Sequence, residues 1–359
     1  MSRFLSKKYQ ALEAYVPGEQ PQDKEYIKLN TNESPYPPPE AVIKAIGEKE
    51  ISDLRLYPDP DCRLLRSKLA DRYNLEPENI YVSNGSDDIL NFAFMAFAGE
   101  GGKAVFPEIT YGFYPVFAQL NGVEAVEVPL KDDFSIEPSD YFNAGGMVVI
   151  ANPNAPTGIA LGIDDIRRIL DANRDNVVLI DEAYVDFGAQ SALQILDEYE
   201  NLLVVRTFSK SRSMAGARLG FAMAHPALID DLNRIKYSTN PYDINRLTQI
   251  AGAAAIDSDM YYEGRCKAIV STRERMSEEL KKRNFEVVPS VANFLFIRTE
   301  MMSGQELYEK LKARGVLVRH FSKEKIKDYN RVTIGTDGEM EVFLQRIDEI
   351  LKEAQNENR

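Results

Sequence analysis

The chain has 359 residues and a formal net charge of −13 at pH 7, with 44% hydrophobic and 28% charged residues. This length predicts about two domains of ~150 residues with a large buried core. The composition excludes collagen, disulfide scaffolds and wholesale disorder. Because nucleic acid and anionic membranes are also negatively charged, the acidic excess argues against both as partners, and an anionic ligand needs a local basic pocket.

Cysteine and histidine are too scarce for the sites that they usually build. Cys62 and Cys266 cannot make a disulfide framework, and His225 and His320 follow no metal-binding spacing. No apolar run approaches the ~20 residues of a membrane span, and the N-terminal segment does not have the pattern of a signal peptide. We therefore expect a cytoplasmic protein without a metal site.

Residues 1–40 are predicted to form an extended N-terminal arm, because the proline-rich stretch 36–39 prevents helix formation. One alternative is a solvated tail. Four apolar or aromatic side chains favour docking against another part of the protein instead: Tyr15, Tyr26, Ile27 and Leu29.

Residues 41–246 are predicted to form a large α/β domain. Most of its β-rich runs are separated by stretches with helical spacing, and the runs are 80–83, 103–106, 123–128, 147–151, 177–181, 202–207 and 219–222. Alternating strands and helices indicate a mostly parallel, seven-stranded sheet. Ligands of such sheets collect at the carboxyl ends of the strands.

Residues 247–359 have a different rhythm and are predicted to form a smaller α/β C-terminal domain. A long helical zone covers about 245–283. Short strands follow near 293–298, 315–318 and 331–334, and a charged terminal helix starts at about Glu339.

An acid and a tyrosine follow the predicted strand 177–181. Asp181 ends this strand, and Tyr184 comes shortly after it. A buried charge at that point must be paired or take part in chemistry, because burying it alone is costly. A helix N-cap at Asp181 is the structural alternative.

The next predicted strand is followed by Ser209-Lys210 and then by Arg218, which stands among small residues. An interior lysine can act as a nucleophile toward aldehydes. A guanidinium matches a phosphate bidentately, and small neighbours let a ligand approach the backbone. Taken alone, most lysines are solvated surface residues.

The turn Gly85-Ser86-Asp87 joins a predicted strand to the apolar segment 89–97. Free N–H groups and the positive dipole end at such a helix start bind phosphate, although the same sequence is also a common N-cap. The patterns GxxxxGK[ST] and GxGxxG do not occur, which argues against a P-loop NTPase and a dinucleotide dehydrogenase.

These motifs occur in the order that is typical of the fold type I enzymes dependent on pyridoxal phosphate (PLP). The segment 152–158, Asn-Pro-Asn-Ala-Pro-Thr-Gly, resembles the Asn-Pro-Thr-Gly turn of the aminotransferases in that group. The resemblance implies a fold type I PLP-dependent transferase. It implies that Lys210 forms the Schiff base with the cofactor, that Asp181 pairs with the pyridine nitrogen and that Tyr184 bonds the ring hydroxyl. The other implied cofactor contacts are Tyr111 on the ring and Gly85, Ser86, Asp87, Ser209 and Arg218 at the phosphate.

One position departs from the family pattern. The asparagine that bonds the ring hydroxyl usually stands directly before Pro-Thr-Gly, where this chain has Ala155. We expect Asn154, one position earlier, to take its place at the cofactor.

Segments 14–18, 27–36 and 55–59 resemble the histidinol-phosphate aminotransferases, and the likeness extends over nearly the whole chain. Arg319 and Arg331 match two substrate arginines of that family, and a guanidinium pairs with phosphate and carboxylate alike. The resemblance also implies that Tyr57 reaches the cofactor phosphate of a partner subunit and that Tyr15 lies over the substrate. Both roles require a homodimer with shared active sites.

The implied reaction moves an amino group between histidinol phosphate or imidazole acetol phosphate and glutamate or 2-oxoglutarate, in histidine biosynthesis. Two alternatives share the scaffold: an aromatic amino-acid aminotransferase, in which Arg331 binds the substrate carboxylate, and a PLP-dependent decarboxylase of a phosphorylated amino acid. A PLP-binding regulator without catalysis is disfavoured, because only the short arm precedes the large domain.

Overall fold

The computed structural model describes residues 2–357. The strands in this range are β1 (Ile27–Lys28), β2 (Ile80–Ser83), β3 (Lys103–Pro107), β4 (Glu124–Val128), β5 (Met147–Ala151), β6 (Val178–Asp181), β7 (Leu202–Thr207), β8 (Gly220–Ala224), β9 (Phe285–Val288), β10 (Phe294–Thr299), β11 (Val316–Leu317), β12 (Arg319–His320) and β13 (Asn330–Thr333). The α-helices are α1 (Glu40–Ala45), α2 (Glu48–Ser52), α3 (Arg63–Tyr73), α4 (Ser86–Ala93), α5 (Tyr114–Asn121), α6 (Ile163–Asp171), α7 (Pro226–Thr239), α8 (Arg246–Ile256), α9 (Asp259–Lys281), α10 (Gly304–Ala313) and α11 (Asp337–Glu357).

A seven-stranded sheet with the order β2-β8-β7-β6-β5-β3-β4 forms the centre of the molecule. All seven strands predicted for the large domain lie in it. Strands β4, β3, β5, β6 and β7 pair in parallel, whereas β8 runs antiparallel to both β7 and β2. The chain reverses through residues 208–219 between β7 and β8, so this loop lies at the carboxyl edge where a ligand is expected.

Both faces of the sheet are covered, which explains why its inner strands β5, β6 and β7 are largely aliphatic. Ile150, Ile180 and Val204 belong to the core on one face, and their neighbours Leu179 and Val205 belong to the core on the other face. Side chains alternate between the faces of a strand, so Asp181 shares the face of Leu179. Helices α3, α6 and α8 supply the first core, and α4, α5 and α7 supply the second.

A second, antiparallel sheet has the order β12-β13-β10-β9. Its core includes residues of α9, α10 and α11. The sequence analysis predicted β10, the β11–β12 region and β13 but missed β9, a four-residue strand in which Glu286 and Val287 are not buried. The predicted helical zone over 245–283 is divided into α8 and α9. The buried side chains of α8 pack in the core of the large sheet, whereas α9 contributes to both cores.

The N-terminal arm docks on the second sheet and its helices. Strand β1 pairs in parallel with β11, with Ile27 opposite Val316. Leu29 is fully buried in the core of this part of the protein. Burying a leucine side chain contributes ~2 kcal/mol, so the arm is anchored just before residues 30–34 reach the carboxyl edge of the large sheet.

Helix α9 is 23 residues long and carries charged side chains along its length. Within residues 2–357, no helix is both long enough and apolar enough to cross a membrane. In the same range, no three side chains of His, Cys, Asp or Glu come together in a group that could hold a metal ion.

Candidate active site

A cavity of about 360 Å³ lies at the carboxyl ends of β6 and β7. It brings together many of the predicted site residues, and its wall includes Ser86, Asp87, Tyr111, Asp181, Tyr184, Ser209, Lys210 and Arg218. A second cavity of about 790 Å³ shares Tyr111, Tyr184, Lys210 and Arg218 with it. This second cavity continues between the arm and the smaller sheet to Tyr15, Arg319 and Arg331.

Asp181 lies at the end of β6, where its side chain is only 5% exposed. The Tyr114 hydroxyl donates to its Oδ2 at 2.9 Å, and the Ala183 N–H donates to its Oδ1 at 3.2 Å. Burial raises the pKa of Asp181 to about 6, although the Tyr114 hydrogen bond opposes this shift. The carboxylate therefore favours a ligand that brings a proton or a positive charge.

Tyr184 follows β6 and presents its hydroxyl to the arm. Asn32 Nδ2 donates to the Tyr184 hydroxyl at 2.9 Å. Asn32 is itself held, since its backbone carbonyl accepts from Asn293 Nδ2 at 3.0 Å and its Oδ1 accepts from the Thr333 hydroxyl at 2.9 Å. The arm and the smaller sheet together fix the tyrosine at the cavity wall.

Lys210 lies on the loop that joins β7 to β8. Its Nζ donates to the Thr31 carbonyl at 3.1 Å and lies 5.8 Å from the centre of the Tyr184 ring. Ser209, the preceding residue, is buried, and its backbone N–H donates to the Thr207 hydroxyl at 3.1 Å. The lysine amine thus lies between the arm and the end of β7, with access to the cavity.

The turn before α4 and the guanidinium of Arg218 lie together and form a candidate phosphate cradle. Gly85 has a φ of +85°, and a Cβ there would lie 2.7 Å from Arg218 Nη2, so glycine is required at this position. Arg218 itself adopts a left-handed φ of 54°. Its Nη2 donates to Asp87 Oδ2 at 2.8 Å, and the Tyr111 hydroxyl donates to Asp87 Oδ1 at 2.8 Å.

These residues fit PLP, the cofactor that the sequence resemblance implies. One end of the cavity offers the start of α4 and a guanidinium for a phosphate, with a glycine that leaves room. The other groups are a lysine amine for an aldehyde and a buried carboxylate for a ring nitrogen. These groups therefore match three polar features of this cofactor, namely its phosphate, its aldehyde and its ring nitrogen.

Asn154 does not line either cavity. Its Nδ2 donates to the Ile109 carbonyl at 2.9 Å, and its Oδ1 accepts from the Thr110 hydroxyl at 2.8 Å. Ala155 is the residue of this turn that lines both cavities. The structure thus places the Asn154 amide beside the loop that leads to Tyr111, which it fixes, and not on the cavity wall.

Arg319 and Arg331 lie directly opposite each other on the antiparallel strands β12 and β13. Arg319 donates to the Val16 and Pro17 carbonyls, and Arg331 Nη2 donates to the Asn30 carbonyl at 2.9 Å. Burial lowers the pKa of Arg331, and its buried Nε has no hydrogen-bond partner. Like charges directly opposite each other are destabilising, so this pair favours an anion between the arginines.

Tyr15 and Tyr57, both expected at the active site, lie in different places in the structure. Tyr15 stacks on Phe113, with ring centres 4.0 Å apart, and lines the larger cavity of its own chain. Tyr57 is 77% exposed, lines neither cavity and stacks on Tyr242 at 4.5 Å. A contact between Tyr57 and a cofactor therefore requires the cavity of another chain.

Three residues that contact the predicted site residues were not predicted from the sequence: Thr31, Asn32 and Tyr114. Thr31 and Asn32 lie in segment 27–36, which was noted for its resemblance without a role for single residues. Tyr114 stands at the first position of α5, three residues after Tyr111. Its contact with Asp181 could not be predicted from the sequence, because the two residues are 67 positions apart. The only signal for Tyr114 was its position close to Tyr111.

Comparison with known proteins identifies the family of this chain. A family model described as aminotransferase class I and II matches residues 24–347. The chain belongs to the class I and II aminotransferases. The histidinol-phosphate aminotransferase of Brachyspira hyodysenteriae is 51% identical to this aminotransferase, over 98% of this chain and 100% of the relative. The histidinol-phosphate aminotransferase of Clostridium acetobutylicum is 46% identical, again over 98% and 100%.

A solved structure supports the fold of this aminotransferase. The histidinol-phosphate aminotransferase of Sinorhizobium meliloti, in complex with pyridoxal-5'-phosphate, superposes with a TM-score of 0.89 and covers 98% of this chain and 99% of its own. At 22% identity this likeness concerns the fold alone. The predicted fold type I transferase, with a large mostly parallel sheet and a smaller C-terminal part, is confirmed.

We predict that Asp181→Asn stabilises the cofactor-free aminotransferase at alkaline pH. The folded-state pKa of about 6 lies above the ordinary value of 3.8, so ionising Asp181 costs stability as pH rises through this window. The variant should gain about 2–3 kcal/mol in free energy of unfolding at pH 8 and lose this advantage toward pH 4. Urea denaturation at several pH values measures the difference.

The matched control for this prediction is Asp175→Asn, since Asp175 is exposed. Its unfolding free energy should follow that of the unchanged protein across the same pH range. An Asp181→Asn variant that is less stable at pH 8, or that shows the same difference at pH 4 and pH 8, contradicts the buried-charge interpretation.

Proposed function

We propose that this aminotransferase transfers an amino group from glutamate to imidazole acetol phosphate, giving 2-oxoglutarate and L-histidinol phosphate, a step of histidine biosynthesis. Its relatives with about half of their residues identical, over the full chain, carry the name histidinol-phosphate aminotransferase. The cofactor is PLP. A cytoplasmic location is supported by the two buried free thiols, Cys62 and Cys266, which suit a reducing compartment.

The single observation that carries this proposal is the pair Arg319 and Arg331 at the far wall of the larger cavity. Histidinol phosphate has an amine but no carboxylate, so its phosphate is the group that can anchor it. Within residues 2–357, neither guanidinium forms an ion pair, and both lie on the wall of the cavity that holds Lys210. A doubly charged anion compensates two facing guanidinium groups better than a neutral ring does.

The cofactor, when bound, withdraws electrons from the substrate carbon that bears the amine. Asp181, buried at the end of β6, would hold the proton on the pyridine nitrogen through its carboxylate. Tyr184, oriented by Asn32, would donate its hydroxyl hydrogen to the ring oxygen. The phosphate would be held by Gly85, Ser86, Asp87, Ser209 and Arg218.

Lys210 moves the proton in this mechanism. Its Nζ is held at the cavity by the hydrogen bond that it donates to the Thr31 carbonyl. With the cofactor bound, the amine would take the proton from the substrate carbon and return it to the cofactor. Tyr15, which stacks on Phe113, lines the larger cavity and would exclude water from this transfer.

The same two arginines serve both substrates in turn. Glutamate brings two carboxylates and imidazole acetol phosphate brings a phosphate, and guanidinium groups bind either anion through paired N–H donors. Arg319 must release the Val16 and Pro17 carbonyls, or share its donors with them, when the anion arrives. Substrate binding is thereby linked to the arm segment that bears Tyr15.

We predict that Arg331→Gln and Arg319→Gln each lower kcat/KM for histidinol phosphate by about 10- to 100-fold, because a charge-assisted hydrogen bond contributes about 1.5–3 kcal/mol. Steady-state kinetics with 2-oxoglutarate as acceptor measures the loss. Arg298→Gln is the matched control, since Arg298 lies on the adjacent strand β10 but pairs with Glu286 on the outside. Arginine variants that keep full activity with histidinol phosphate would refute the phosphate-anchor role.

A homodimer with shared sites is the second part of the proposal. Exposed apolar side chains are concentrated between residues 43 and 64. We call six of them the apolar patch: Ile43, Ile51, Leu54, Leu56, Tyr57 and Leu64. Helices α1, α2 and α3 of this stretch all pack on α8. Apolar patches of this kind mark protein–protein contacts, and a twofold dimer is the commonest assembly.

The apolar patch is connected to the phosphate cradle. Arg246 Nη2, at the start of α8, donates to the Tyr57 carbonyl at 3.0 Å. On the same helix the Thr248 hydroxyl donates at 2.9 Å to the carbonyl of Ala217, the residue before Arg218. Helix α8 thus links the apolar patch to the candidate phosphate cradle. A partner subunit docked on the patch would lie near this cradle, and the partner's Tyr57 hydroxyl would approach a bound phosphate there.

We predict that Leu54→Glu yields a monomer that has lost most of its activity, because a charge in the apolar patch opposes docking and removes the partner's tyrosine from the site. Sedimentation velocity and turnover with glutamate measure both effects. Met260→Glu is the control, since Met260 is 90% exposed on α9, outside the patch. A fully active Leu54→Glu monomer contradicts shared active sites.

A further inference from the structure

Behind the cavity, a polar network of four side chains joins the chain segments that carry Asp181, Tyr184 and Lys210, and three of the four are buried whereas Asp186 is exposed. Its members are Glu182, Asp186, Arg206 and Ser211, and none of them lines the cofactor cavity. Arg206 shares the strand face of Val204, which is the face opposite Asp181. The network therefore contacts the reacting groups only through the backbone.

The first connection is the buried ion pair of Glu182 and Arg206. The Arg206 Nε donates to Glu182 Oε2 at 3.0 Å, and both side chains are almost fully enclosed. The Ser191 hydroxyl and the Ala192 N–H also donate to the Glu182 carboxylate. In the backbone, the Glu182 N–H donates to the Val205 carbonyl at 2.8 Å, so β6 and β7 are joined just beyond the end of β6.

The second connection is the contact of Asp186 with Ser211. The Ser211 hydroxyl donates to Asp186 Oδ2, and Arg206 Nη1 lies 3.5 Å from Asp186 Oδ1. Tyr184 stands between Glu182 and Asp186 in the chain, and Lys210 stands between Arg206 and Ser211. Each reacting residue is thus enclosed by two anchored neighbours, and each anchor bonds to an anchor of the other segment.

Stability alone is a weak reason for this arrangement. Burying two charges costs about as much as their attraction returns, and an apolar replacement is often as stable. The hydroxyl of Ser211 faces a separate cavity of about 520 Å³, so its hydrogen bond to Asp186 fills no core space. What the network does fix is the distance between the segment of Tyr184 and the segment of Lys210.

We propose that Asp186 and Ser211, supported by Glu182 and Arg206, are positioning residues that hold the Tyr184 hydroxyl and the Lys210 amine in register at the cofactor. This inference rests on the proposed PLP chemistry of the cavity. It assigns a function to residues that touch neither cofactor nor substrate. Small misplacements of reacting groups lower the rate of a chemical step far more than they weaken substrate binding.

The test compares Ser211→Ala with Ser211→Thr in the PLP-loaded enzyme. The alanine loses the hydroxyl that holds Asp186, whereas threonine keeps it. Ser271→Ala is the matched control, since Ser271 lines the same 520 Å³ cavity from α9. For each variant one measures kcat, KM for glutamate, the visible circular dichroism of the bound cofactor and the melting temperature without cofactor.

We expect Ser211→Ala to lower kcat by about 10- to 100-fold, with KM nearly unchanged, and to alter the cofactor dichroism. Ser211→Thr should restore both, and Ser271→Ala should change neither. The inference is overturned if Ser211→Ala keeps its kcat and its dichroism, or if kcat falls only in proportion to a lower melting temperature. If the unchanged enzyme shows no cofactor band, the proposed function itself fails, which is a different result.

Discussion

A carboxylate buried at the end of a parallel strand is the constraint on which the other parts of this site depend. Asp181 loses its water when β6 enters the sheet, and burial raises its pKa to about 6. The hydrogen bond from Tyr114 compensates part of the cost. The remaining cost of burying the charge favours a ligand that brings a proton or a positive charge, as the ring nitrogen of the proposed cofactor would.

Three separate parts of the chain complete the site around this charge. The loop between β7 and β8 brings Lys210 and Arg218, because β8 reverses beside β7 and pairs with β2. The arm brings Thr31 and Asn32, held by the smaller sheet. That sheet also places two facing arginines at the far wall. The cofactor end therefore depends on the large sheet, and the substrate end depends on the arm and the smaller sheet.

The sequence predicted the large sheet strand by strand, because aliphatic runs that are buried on both faces differ clearly from the helices between them. It also predicted eight of the residues on the cavity wall, since Asp181 ends β6 and both Lys210 and Arg218 lie on the loop that follows β7. It did not predict Tyr114 and Asn32, whose partners are distant in the chain. It also did not predict that Ile109 and Thr110 bond the Asn154 amide, because these contacts join residues more than 40 positions apart.

The central claim is that the far wall of this aminotransferase selects a phosphorylated ketone. The most direct measurement is a competition assay on the purified protein, with glutamate as donor and imidazole acetol phosphate and phenylpyruvate as competing acceptors. The account predicts a strong preference for the phosphorylated ketone, because Arg319 and Arg331 face each other at the wall without an acidic partner among the described residues. A preference for phenylpyruvate would contradict it and make the protein an aromatic amino-acid aminotransferase.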